Sequence, residues 1–458
     1  MFGPFTHDEA SNKFGFFRSN PLGSVVNSDG KIRPINDLSH PKKDKNIASV
    51  NSFVNKLDYT TTWDDFKVVA NFFRSNEGPV ELAIFDWEKA YRQIPTLKSQ
   101  WPFLMVQDLV GGLYVDTRIT FGGVAGCGSF GAPADAWKRL MEHEFDVVKV
   151  FRWVDDNLFV KSPLASVSIK DVVSRSLELG VATNKEKCSD FSDEQKYIGF
   201  IWNGKDSTVR LPTAKLEERK NQIATFLVAG TQFKFNEVEI LAGRLNHVAF
   251  LLPQLRCYLR GVYRWMNEWK KHEAPRNVPE DVFEDLSFWL QSLQTFENTR
   301  LAPIPTPTEI QWVGDASTSF GIGVLIGNRW GQLQMKESWQ QGGNGIAWLE
   351  TVAIRIGIVM LQEIGIARKG SNLIVYTDNT TTESVLSSRK SRDKNVNEEW
   401  KLIQKMLINS ELDVTPRRVK SEDNIADGLS RGIRFPHAAA NRVWFQIPCD
   451  LTDVMFHA

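Results

Sequence analysis

Two adjacent aspartates, Asp155 and Asp156, interrupt an apolar stretch that runs from residue 150 to residue 160. The apolar side chains on both sides predict a hairpin with the two carboxylates at its turn. Asp86 is placed similarly, directly after an apolar strand predicted for residues 80–85. Because a buried charge without a partner is costly, a chain that folds in this way needs a cation beside its carboxylates. The sequence therefore predicts a cation site where strands end.

Carboxylates from two neighbouring strand ends can hold two Mg²⁺ ions about 3.5 to 4 Å apart. One ion activates an attacking hydroxyl, and the other neutralises a leaving pyrophosphate. This arrangement predicts phosphoryl transfer. A further acidic pair, Asp64 and Asp65, is interpreted as the start of a helix, since an amphipathic pattern follows it.

A second acidic set follows residues 301–308, where alternating prolines favour an extended spacer and predict a domain boundary. Asp315 follows a predicted strand, Glu350 lies in a predicted helix, Asp378 ends another strand, and Asp427 comes near the end of the chain. Any one of these acids alone is typical of a protein surface. Together they form a second candidate site for two metal ions, one of which generates hydroxide to cut a phosphodiester.

Composition excludes several other classes of protein. The 458 residues predict about three domains. No apolar run approaches the ~18 residues of a membrane span, and no secretory signal is recognised at the amino terminus. The four cysteines form no CxxC pair, so we expect an intracellular protein, cytoplasmic or nuclear, without a zinc knuckle. Although the net charge is zero, basic residues exceed acidic ones between 215 and 271, which favours contact with phosphates.

Five segments resemble, in order and spacing, motifs of reverse transcriptases from long-terminal-repeat retrotransposons. The first three resemble the palm motifs, although the second commonly ends in Ala-Pro-Ala-Thr-Phe and the third usually has Tyr at position 153. The last resembles the primer grip. The segments are 85–94 (FDWEKAYRQI), 121–130 (FGGVAGCGSF), 151–156 (FRWVDD), 184–188 (NKEKC) and 197–200 (YIGF).

The resemblance implies a role for each matching residue. The metal ligands would be Asp86, Asp155 and Asp156. Tyr91 would be the steric gate that excludes a 2′-hydroxyl, so that the product is DNA. The remaining assignments are triphosphate binding by Lys31 and Arg33, a nucleotide pocket at Phe121 and Gly122, protonation of pyrophosphate by Lys187 or by Lys185, and a primer grip at Tyr197, Ile198 and Gly199.

The second acidic set is similar to ribonuclease H in its order and context. Residues 424–431 (NIADGLSR) resemble the Asn-x-x-Ala-Asp-x-Leu-Ser-Arg signature of retrotransposon ribonuclease H, shortened by one residue. The histidine that retroviral versions carry ahead of the last aspartate has no counterpart here. The resemblance implies metal ligands at Asp315, Glu350, Asp378 and Asp427, with Asp423 an alternative to Asp427.

The implied fold is an α+β right-hand polymerase followed by an α/β ribonuclease H-like domain. Helical spacing from about 211 to 296 and the segment 241–247 (LAGRLNH) resemble the thumb and connection of DIRS-type elements and their fungal relatives. The expected divisions are fingers and palm at 1–205, thumb and connection at 206–300, a proline-rich linker at 301–308, ribonuclease H at 309–432 and a carboxy-terminal tail at 433–458.

The resemblance implies an RNA-directed and DNA-directed DNA polymerase with ribonuclease H activity that serves retroelement replication. Each active site would use two Mg²⁺ ions, with Mn²⁺ as an alternative. The implied partners are an RNA template, a DNA primer, RNA–DNA hybrid, deoxynucleoside triphosphates and other retroelement proteins, without a membrane. Two rivals remain: a domesticated noncatalytic nucleic-acid-binding scaffold, and a DNA-templated polymerase, which would have no need for a ribonuclease H.

Overall fold

The computed structural model describes residues 1–26, 30, 32–42, 44, 46–337 and 345–458. Lys31, one of the predicted triphosphate-binding residues, lies outside the described residues. The chain forms two compact units. The first unit comprises 1–212 with 300–302, and the second comprises 213–299 with 303–458.

The described residues of the first unit form four α-helices and thirteen strands. Short 3₁₀ helices lie at Val50–Phe53, Lys56–Tyr59, Ala90–Gln93 and Lys98–Phe103. The helices are α1 (His7–Phe14), α2 (Phe66–Ser75), α3 (Gly126–Glu144) and α4 (Ile169–Glu178). The strands are β1 (Phe2–Phe5), β2 (Ser19–Asn20), β3 (Leu22–Val26), β4 (Ile32–Asn36), β5 (Glu81–Asp86), β6 (Met105–Gln107), β7 (Leu113–Val115), β8 (Lys149–Trp153), β9 (Asp156–Lys161), β10 (Ser189–Ser192), β11 (Glu194–Tyr197), β12 (Phe200–Asn203) and β13 (Thr208–Arg210).

The central sheet of the first unit has the strand order β10-β5-β9-β8. All its pairings are antiparallel, and Asp86 on β5 lies opposite Asp156 on β9. One face of this sheet packs against α3 and α4 around buried Phe85, Phe130 and Trp137. Burial of these large aromatic side chains supplies most of the local stability, since apolar area removed from water is the dominant favourable term in folding. The sheet therefore holds its strand ends on a rigid base.

Local sequence signals explain where the elements of the first unit begin and end. The Asp65 side chain accepts hydrogen bonds from the backbone N–H groups of Lys67 and Val68 and so caps α2, as the acidic pair predicts. Asp64 instead accepts hydrogen bonds from the Lys138 ammonium at 2.6 Å and the Arg152 backbone N–H at 2.8 Å.

The predicted hairpin near the amino terminus is β3 paired with β4. The other strands form a sheet of order β1-β7-β6-β2 and a sheet that contains β11, β12 and β13.

The part of the second unit that the structure describes forms eight α-helices and most of the remaining strands. Short 3₁₀ helices lie at Pro253–Leu259, Ser421–Asp423, Ala439–Asn441 and Cys449–Leu451. The helices are α5 (Thr213–Phe226), α6 (Phe235–Val248), α7 (Arg260–Asn267), α8 (Glu280–Gln294), α9 (Ile346–Glu363), α10 (Thr380–Ser388), α11 (Lys394–Ser410) and α12 (Asp427–Ser430). The strands are β14 (Gln232–Phe233), β15 (Arg276–Asn277), β16 (Thr299–Arg300, at the boundary of the two units), β17 (Thr308–Ala316), β18 (Gly321–Ile326), β19 (Arg329–Met335), β20 (Asn372–Thr377), β21 (Asp413–Arg418) and β22 (Met455–His457).

A six-stranded sheet of order β21-β20-β17-β18-β19-β22 forms the base of the second unit. The pairs β17–β20 and β20–β21 are parallel, whereas β17, β18, β19 and β22 pair in antiparallel fashion. Helix α9 packs on β17 and β18, and α11 packs on α9. Residues 455–457, within the segment expected to be a tail, form an edge strand of this sheet. None of the helices in the described ranges is long and apolar enough to cross a bilayer.

The helices α5 to α8 belong to the same compact unit as the six-stranded sheet. The Asn397 side chain on α11 donates a 3.0 Å hydrogen bond to the backbone carbonyl of Cys257. Lys401, also on α11, pairs with the nearly buried Asp285 of α8 at 2.6 Å. Residues 303–308 therefore connect two parts of one compact unit.

Two helix-interior glycines in the second unit provide a test of this packing. A Cβ atom on Gly357 of α9 would lie 2.3 Å from Nε1 of buried Trp312 on β17, whereas a Cβ on Gly243 of α6 would have no neighbour within 4 Å. We expect Gly357→Ala to lower the free energy of unfolding by about 1 to 3 kcal/mol through overpacking. Gly243→Ala should raise it by up to ~1 kcal/mol, because alanine is the better helix former. Denaturant melts of both variants measure the difference, and equal effects would contradict the close packing of α9 on β17.

Candidate functional sites

Asp86, Asp155 and Asp156 form the first carboxylate cluster, at one end of the central sheet of the first unit. Asp86 ends β5, and Asp156 begins β9 directly opposite it. The β8–β9 turn passes through Val154, whose φ of +56° is unusual for a β-branched residue. The backbone carbonyl of Asp155 accepts a 3.3 Å hydrogen bond from the N–H of Trp87. Strand pairing and the tight turn thus bring together the three acids that the sequence analysis selects.

Burial and mutual repulsion perturb the first carboxylate cluster. Burial raises the pKa of Asp156 to about 7, assisted by a hydrogen bond with the Asp86 carboxyl and by the charge of Asp155. The pKa of Asp155 is raised too, chiefly by burial and then by the charge of Asp86. Neighbouring carboxylates of this kind are oxygen ligands of the type that a hard divalent cation prefers. Their oxygens are not among those that lie within 4.8 Å of one another as a group of three in the described residues.

Two cations lie close to the first carboxylate cluster. The Lys187 ammonium contacts the Asp86 carboxylate at 2.9 Å, and both Lys187 and its alternative Lys185 are exposed. Arg33 on β4 is near enough for its charge to lower the pKa of Asp155. Positive charge thus lies beside the cluster.

Tyr91 follows β5 and lies nearly buried beside the cluster. Its ring centroid lies 5.2 Å from that of Phe121 and 5.4 Å from that of Phe130. Its hydroxyl forms a 2.9 Å hydrogen bond with the Cys127 thiol. Burial raises its pKa, and the contact with Cys127 raises it further. Tyr91 is therefore a neutral, closely packed ring.

Gly122 is required by backbone packing. Its φ is +108°, and a Cβ atom there would lie 2.0 Å from the backbone carbonyl oxygen of Asn36 at the end of β4. The Asn36 N–H in turn donates a 3.0 Å hydrogen bond to the Phe121 carbonyl. Gly122 thus allows the segment after Phe121 to lie directly against the end of β4, the strand that carries Arg33.

Tyr197, Ile198 and Gly199 form the turn between β11 and β12. Ile198 has a φ of +44° and Gly199 a φ of +88°, so both residues adopt the left-handed conformation. Tyr197 is buried, and its pKa is raised by burial and then by the charges of Asp64 and Asp156. The electrostatic influence of Asp156 on Tyr197 indicates that this turn lies on the same side of the first unit as the first carboxylate cluster.

Asp315, Glu350 and Asp378 form the second carboxylate cluster, in the second unit. One ligand oxygen from each lies within 4.8 Å of the other two, and this is the one group of its kind among the described residues. Asp315 lies on β17, Glu350 lies on α9, and Asp378 directly follows β20. Parallel pairing of β17 and β20 puts Asp315 and Asp378 at the same edge of the sheet, and α9 packs across β17. This cluster could bind a metal ion.

The second carboxylate cluster is more strongly perturbed than the first. Burial, followed by repulsion from Asp315 and Asp378, raises the pKa of Glu350 to about 9. Burial raises the pKa of Asp315 to about 6, with the charges of Asp378 and Asp427 contributing. One carboxylate oxygen of Glu350, Oε2, is buried without a hydrogen-bond partner. A buried, unpartnered carboxylate oxygen facing two further carboxylates fits a divalent cation.

The fourth acid differs from the other three. Asp427 begins α12 and forms two 2.9 Å hydrogen bonds with the Arg431 guanidinium. Its charge affects the pKa of Asp315, which indicates that it lies near the cluster. Asp423, the alternative in the sequence analysis, is exposed on a 3₁₀ helix. Of the two candidates, Asp427 is the one whose charge contributes to the raised pKa of Asp315.

Sequence reasoning missed Asn424. This residue is 6% exposed, and its side-chain amide donates a 2.7 Å hydrogen bond to Oδ1 of Asp315. It thereby fixes the orientation of one candidate ligand. The signal in the sequence that could have identified it is its position as the first residue of the 424–431 signature.

The second unit also contains a cleft of about 1100 Å³, here called the basic cleft. One wall comes from the helical segment before residue 270, and the other comes from the start of α10 and the loop that follows this helix. Thr380 and Thr381 line it at the first turn of α10, directly after Asp378 and Asn379. Its basic side chains are Arg256, Arg260, Arg264, Lys390 and Arg392.

Comparison with known proteins identifies the fold. No protein-family model and no curated protein matches the chain. The structure of a foamy viral protease–reverse transcriptase in complex with an RNA/DNA hybrid matches with a TM-score of 0.51 and 13% identity, over 96% of this chain and 55% of that one. A complex of the foamy viral enzyme with double-stranded DNA matches with a TM-score of 0.47 and 13% identity, over 88% of this chain and 78% of that one. The chain thus has a mixed α/β fold of the retroviral reverse transcriptase and ribonuclease H type, and it spans about half the length of the first of these two structures.

The second carboxylate cluster can be tested without an activity assay. We expect Asp378→Asn to raise the melting temperature in the presence of a chelator by ~2 to 4 °C, because the substitution removes a negative charge that disfavours ionisation of Asp315 and Glu350. The same variant should gain less melting temperature from added Mg²⁺ or Mn²⁺ than the unmodified protein, because a ligand has been lost. Thermal melts with and without the ions measure both effects.

Asp423→Asn is the matched control, since it removes the same charge from an exposed position. We expect it to melt and to respond to the ions as the unmodified protein does. If Asp378→Asn behaved in the same way as this control, the cluster would not be a metal site.

Proposed function

We propose that the protein copies RNA into DNA by two-metal phosphoryl transfer and cuts the RNA strand of RNA–DNA hybrids. One observation carries the proposal: each compact unit gathers its own perturbed carboxylate cluster at adjacent strand ends, within a fold of the reverse transcriptase and ribonuclease H type. The fingers and palm would lie in 1–205, the thumb and connection in 206–300, and the ribonuclease H in 309–432.

In the polymerase, Asp86, Asp155 and Asp156 would hold two Mg²⁺ or Mn²⁺ ions. These ions would activate the primer hydroxyl and neutralise the leaving pyrophosphate. Lys187 would supply the proton to pyrophosphate, which its contact with Asp86 supports. Arg33 would bind the incoming triphosphate together with Lys31, and the electrostatic effect of Arg33 on Asp155 supports this role.

The nucleotide pocket would be formed by Tyr91, Phe121 and Gly122. Tyr91 would lie under the sugar and exclude a 2′-hydroxyl, so the substrates would be deoxynucleoside triphosphates. The contact of its ring with Phe121, with the centroids 5.2 Å apart, supports a pocket shared by the two residues. The turn at Tyr197, Ile198 and Gly199 would act as the primer grip.

In the nuclease, Asp315, Glu350, Asp378 and Asp427 would hold the ions. Their chemistry would be the generation of hydroxide and the stabilisation of the leaving oxygen of the phosphodiester. Asn424 would orient the carboxylate of Asp315 through its hydrogen bond.

RNA–DNA hybrid is the substrate that would connect both activities. The basic cleft is lined by Arg256, Arg260, Lys390 and Arg392, by Arg264, which is paired with Asp281 and Glu268, and by the acids Glu268 and Asp393. Its basic side chains outnumber its acidic ones, which favours contact with phosphates. The foamy viral relative was crystallised with an RNA/DNA hybrid. A noncatalytic nucleic-acid scaffold is less well supported, because all seven candidate acids are present. Primer extension on an RNA template with purified protein tests the proposal directly.

Two substitutions should separate the activities, because the two clusters lie in different compact units and share no ligand. We expect Asp155→Asn to reduce DNA synthesis by ~10²-fold or more, since a charge that stabilises the transition state is lost. Asp378→Asn should reduce cleavage of the RNA strand to a similar extent and leave most primer extension intact. Extension and cleavage assays on one hybrid substrate measure both.

Asp423→Asn again serves as the control and should cleave nearly as well as the unmodified protein. Retention of more than about a tenth of extension by Asp155→Asn would contradict the metal role of that residue. Loss of both activities in an Asp378→Asn protein that still melts cooperatively would contradict independent sites.

Charge reversal in the basic cleft tests the substrate assignment. Lys390 and Arg392 are exposed, and no ion pair involves their side chains within the described parts of the chain. We expect Lys390→Glu with Arg392→Glu to weaken hybrid binding at low salt by more than tenfold and to make the dependence of affinity on salt shallower, by about 0.9 in logarithmic slope per lost phosphate contact. Binding titrations at several salt concentrations measure this.

Arg329→Glu reverses one exposed charge at the first residue of β19 and is compared with Lys390→Glu alone. This position does not line the basic cleft, so hybrid affinity should change little. Equal weakening by both proteins would mean that the effect comes from net charge alone.

A further inference from the structure

The hydroxyl of Tyr91 has an unusual partner. It lies 2.9 Å from the thiol sulfur of Cys127, which is its one hydrogen-bond partner among the described residues. The other neighbours of the ring, Phe121 and Phe130, are apolar and tilted by 32° and 52° against it. Aromatic contacts of this kind are only weakly directional. The hydrogen bond from the hydroxyl is therefore the contact that fixes the position of the Tyr91 ring.

Cys127 is held in place by its neighbours at the start of α3. A Cβ on Gly128 would lie 2.1 Å from the backbone carbonyl oxygen of Tyr59, so the helix meets the 3₁₀ helix Lys56–Tyr59 without a side chain between them. A Cβ on Gly126 would lie 3.8 Å from the Tyr91 ring and 3.5 Å from Ile119, which is ordinary van der Waals contact. The close approach at Gly128 therefore fixes the backbone directly after Cys127, and the start of α3 places the sulfur beside Tyr91.

No purely structural role accounts for the Cys127 side chain. The residue is exposed and forms no disulfide, so removal of its sulfur opens no cavity in the core. Its hydrogen bond to Tyr91 is the contact through which it can influence the site. The segment that it resembles commonly has proline at this place, and proline has no group to donate to or accept from a tyrosine hydroxyl.

We propose that Cys127 is a positioning residue that sets the sugar selectivity of the polymerase by holding the Tyr91 ring in the excluding position. This inference rests on the proposed function, because it requires Tyr91 to face the sugar of the incoming nucleotide. Without the hydrogen bond, the ring can tilt away from the space that a 2′-hydroxyl would fill. Selectivity then falls without any change at the metal ligands.

The test compares the catalytic efficiency for one deoxynucleotide with that for the matching ribonucleotide. We expect Cys127→Ala to lower this selectivity ratio by about 3- to 10-fold, the range for loss of one neutral hydrogen bond. The loss should come mainly from a lower KM for the ribonucleotide. Cys127→Ser replaces the thiol with a hydroxyl that can form the same hydrogen bond, and it should retain most of the selectivity. Cys449→Ala, which removes an exposed thiol from the second unit, is the matched control and should leave the ratio unchanged.

A double-mutant cycle with Tyr91→Phe shows whether Cys127 acts through the hydroxyl. Tyr91→Phe alone should lower the ratio about as much as Cys127→Ala, and Cys127→Ala added to Tyr91→Phe should lower it no further. An unchanged ratio in Cys127→Ala, or an equal additional loss in the Tyr91→Phe background, would overturn the inference. Failure of the unmodified protein to extend a primer with deoxynucleotides would instead refute the proposed function.

Discussion

In both units, the backbone holds carboxylates side by side in a partly buried site, and the electrostatic cost of this arrangement determines the properties of each cluster. In the first carboxylate cluster, burial and two neighbouring acids raise the pKa of Asp156 to about 7. In the second cluster, the same combination raises the pKa of Glu350 to about 9. These positions are enforced by backbone pairing, between β5 and β9 in one unit and between β17 and β20 in the other. The strands and packed helices therefore hold acids together against their repulsion, which is what a site built for cations requires.

The two clusters differ in how much positive charge the chain itself provides. Lys187 contacts Asp86 directly, and the charge of Arg33 reaches Asp155. In the second cluster, the contact to Asp315 comes from the neutral amide of Asn424, and Arg431 is engaged by Asp427. The second site consequently depends more on an external cation. This difference matches the tasks proposed for the sites, since a triphosphate brings more negative charge to neutralise than a single phosphodiester does.

The parts of the fold that sequence reasoning predicts are those set by local pattern. Apolar strands that end in an acid are visible in the sequence, so the positions of Asp86, Asp315 and Asp378 could be predicted. Pairing across long separations leaves no local signal. For this reason the edge strand at 455–457 and the hydrogen bond from Asn424 to Asp315 were not predicted, because each depends on a partner more than a hundred residues away.

Residues 126–128 are Gly-Cys-Gly, whereas the motif that they resemble commonly has Ala-Pro-Ala there. These three differences show why a motif cannot be interpreted one residue at a time. Glycine at 126 and 128 removes side-chain volume from the start of α3, and this loss by itself would loosen the pocket wall. The backbone of Tyr59 occupies the space beside Gly128, at a distance that any Cβ there would prevent. The side-chain volume missing at Gly128 is therefore filled by the backbone of Tyr59, which lies outside the five motif segments. With the helix start held in this way, the Cys127 side chain between the two glycines contacts the Tyr91 hydroxyl, so a packing contact and a hydrogen bond together define this part of the first unit.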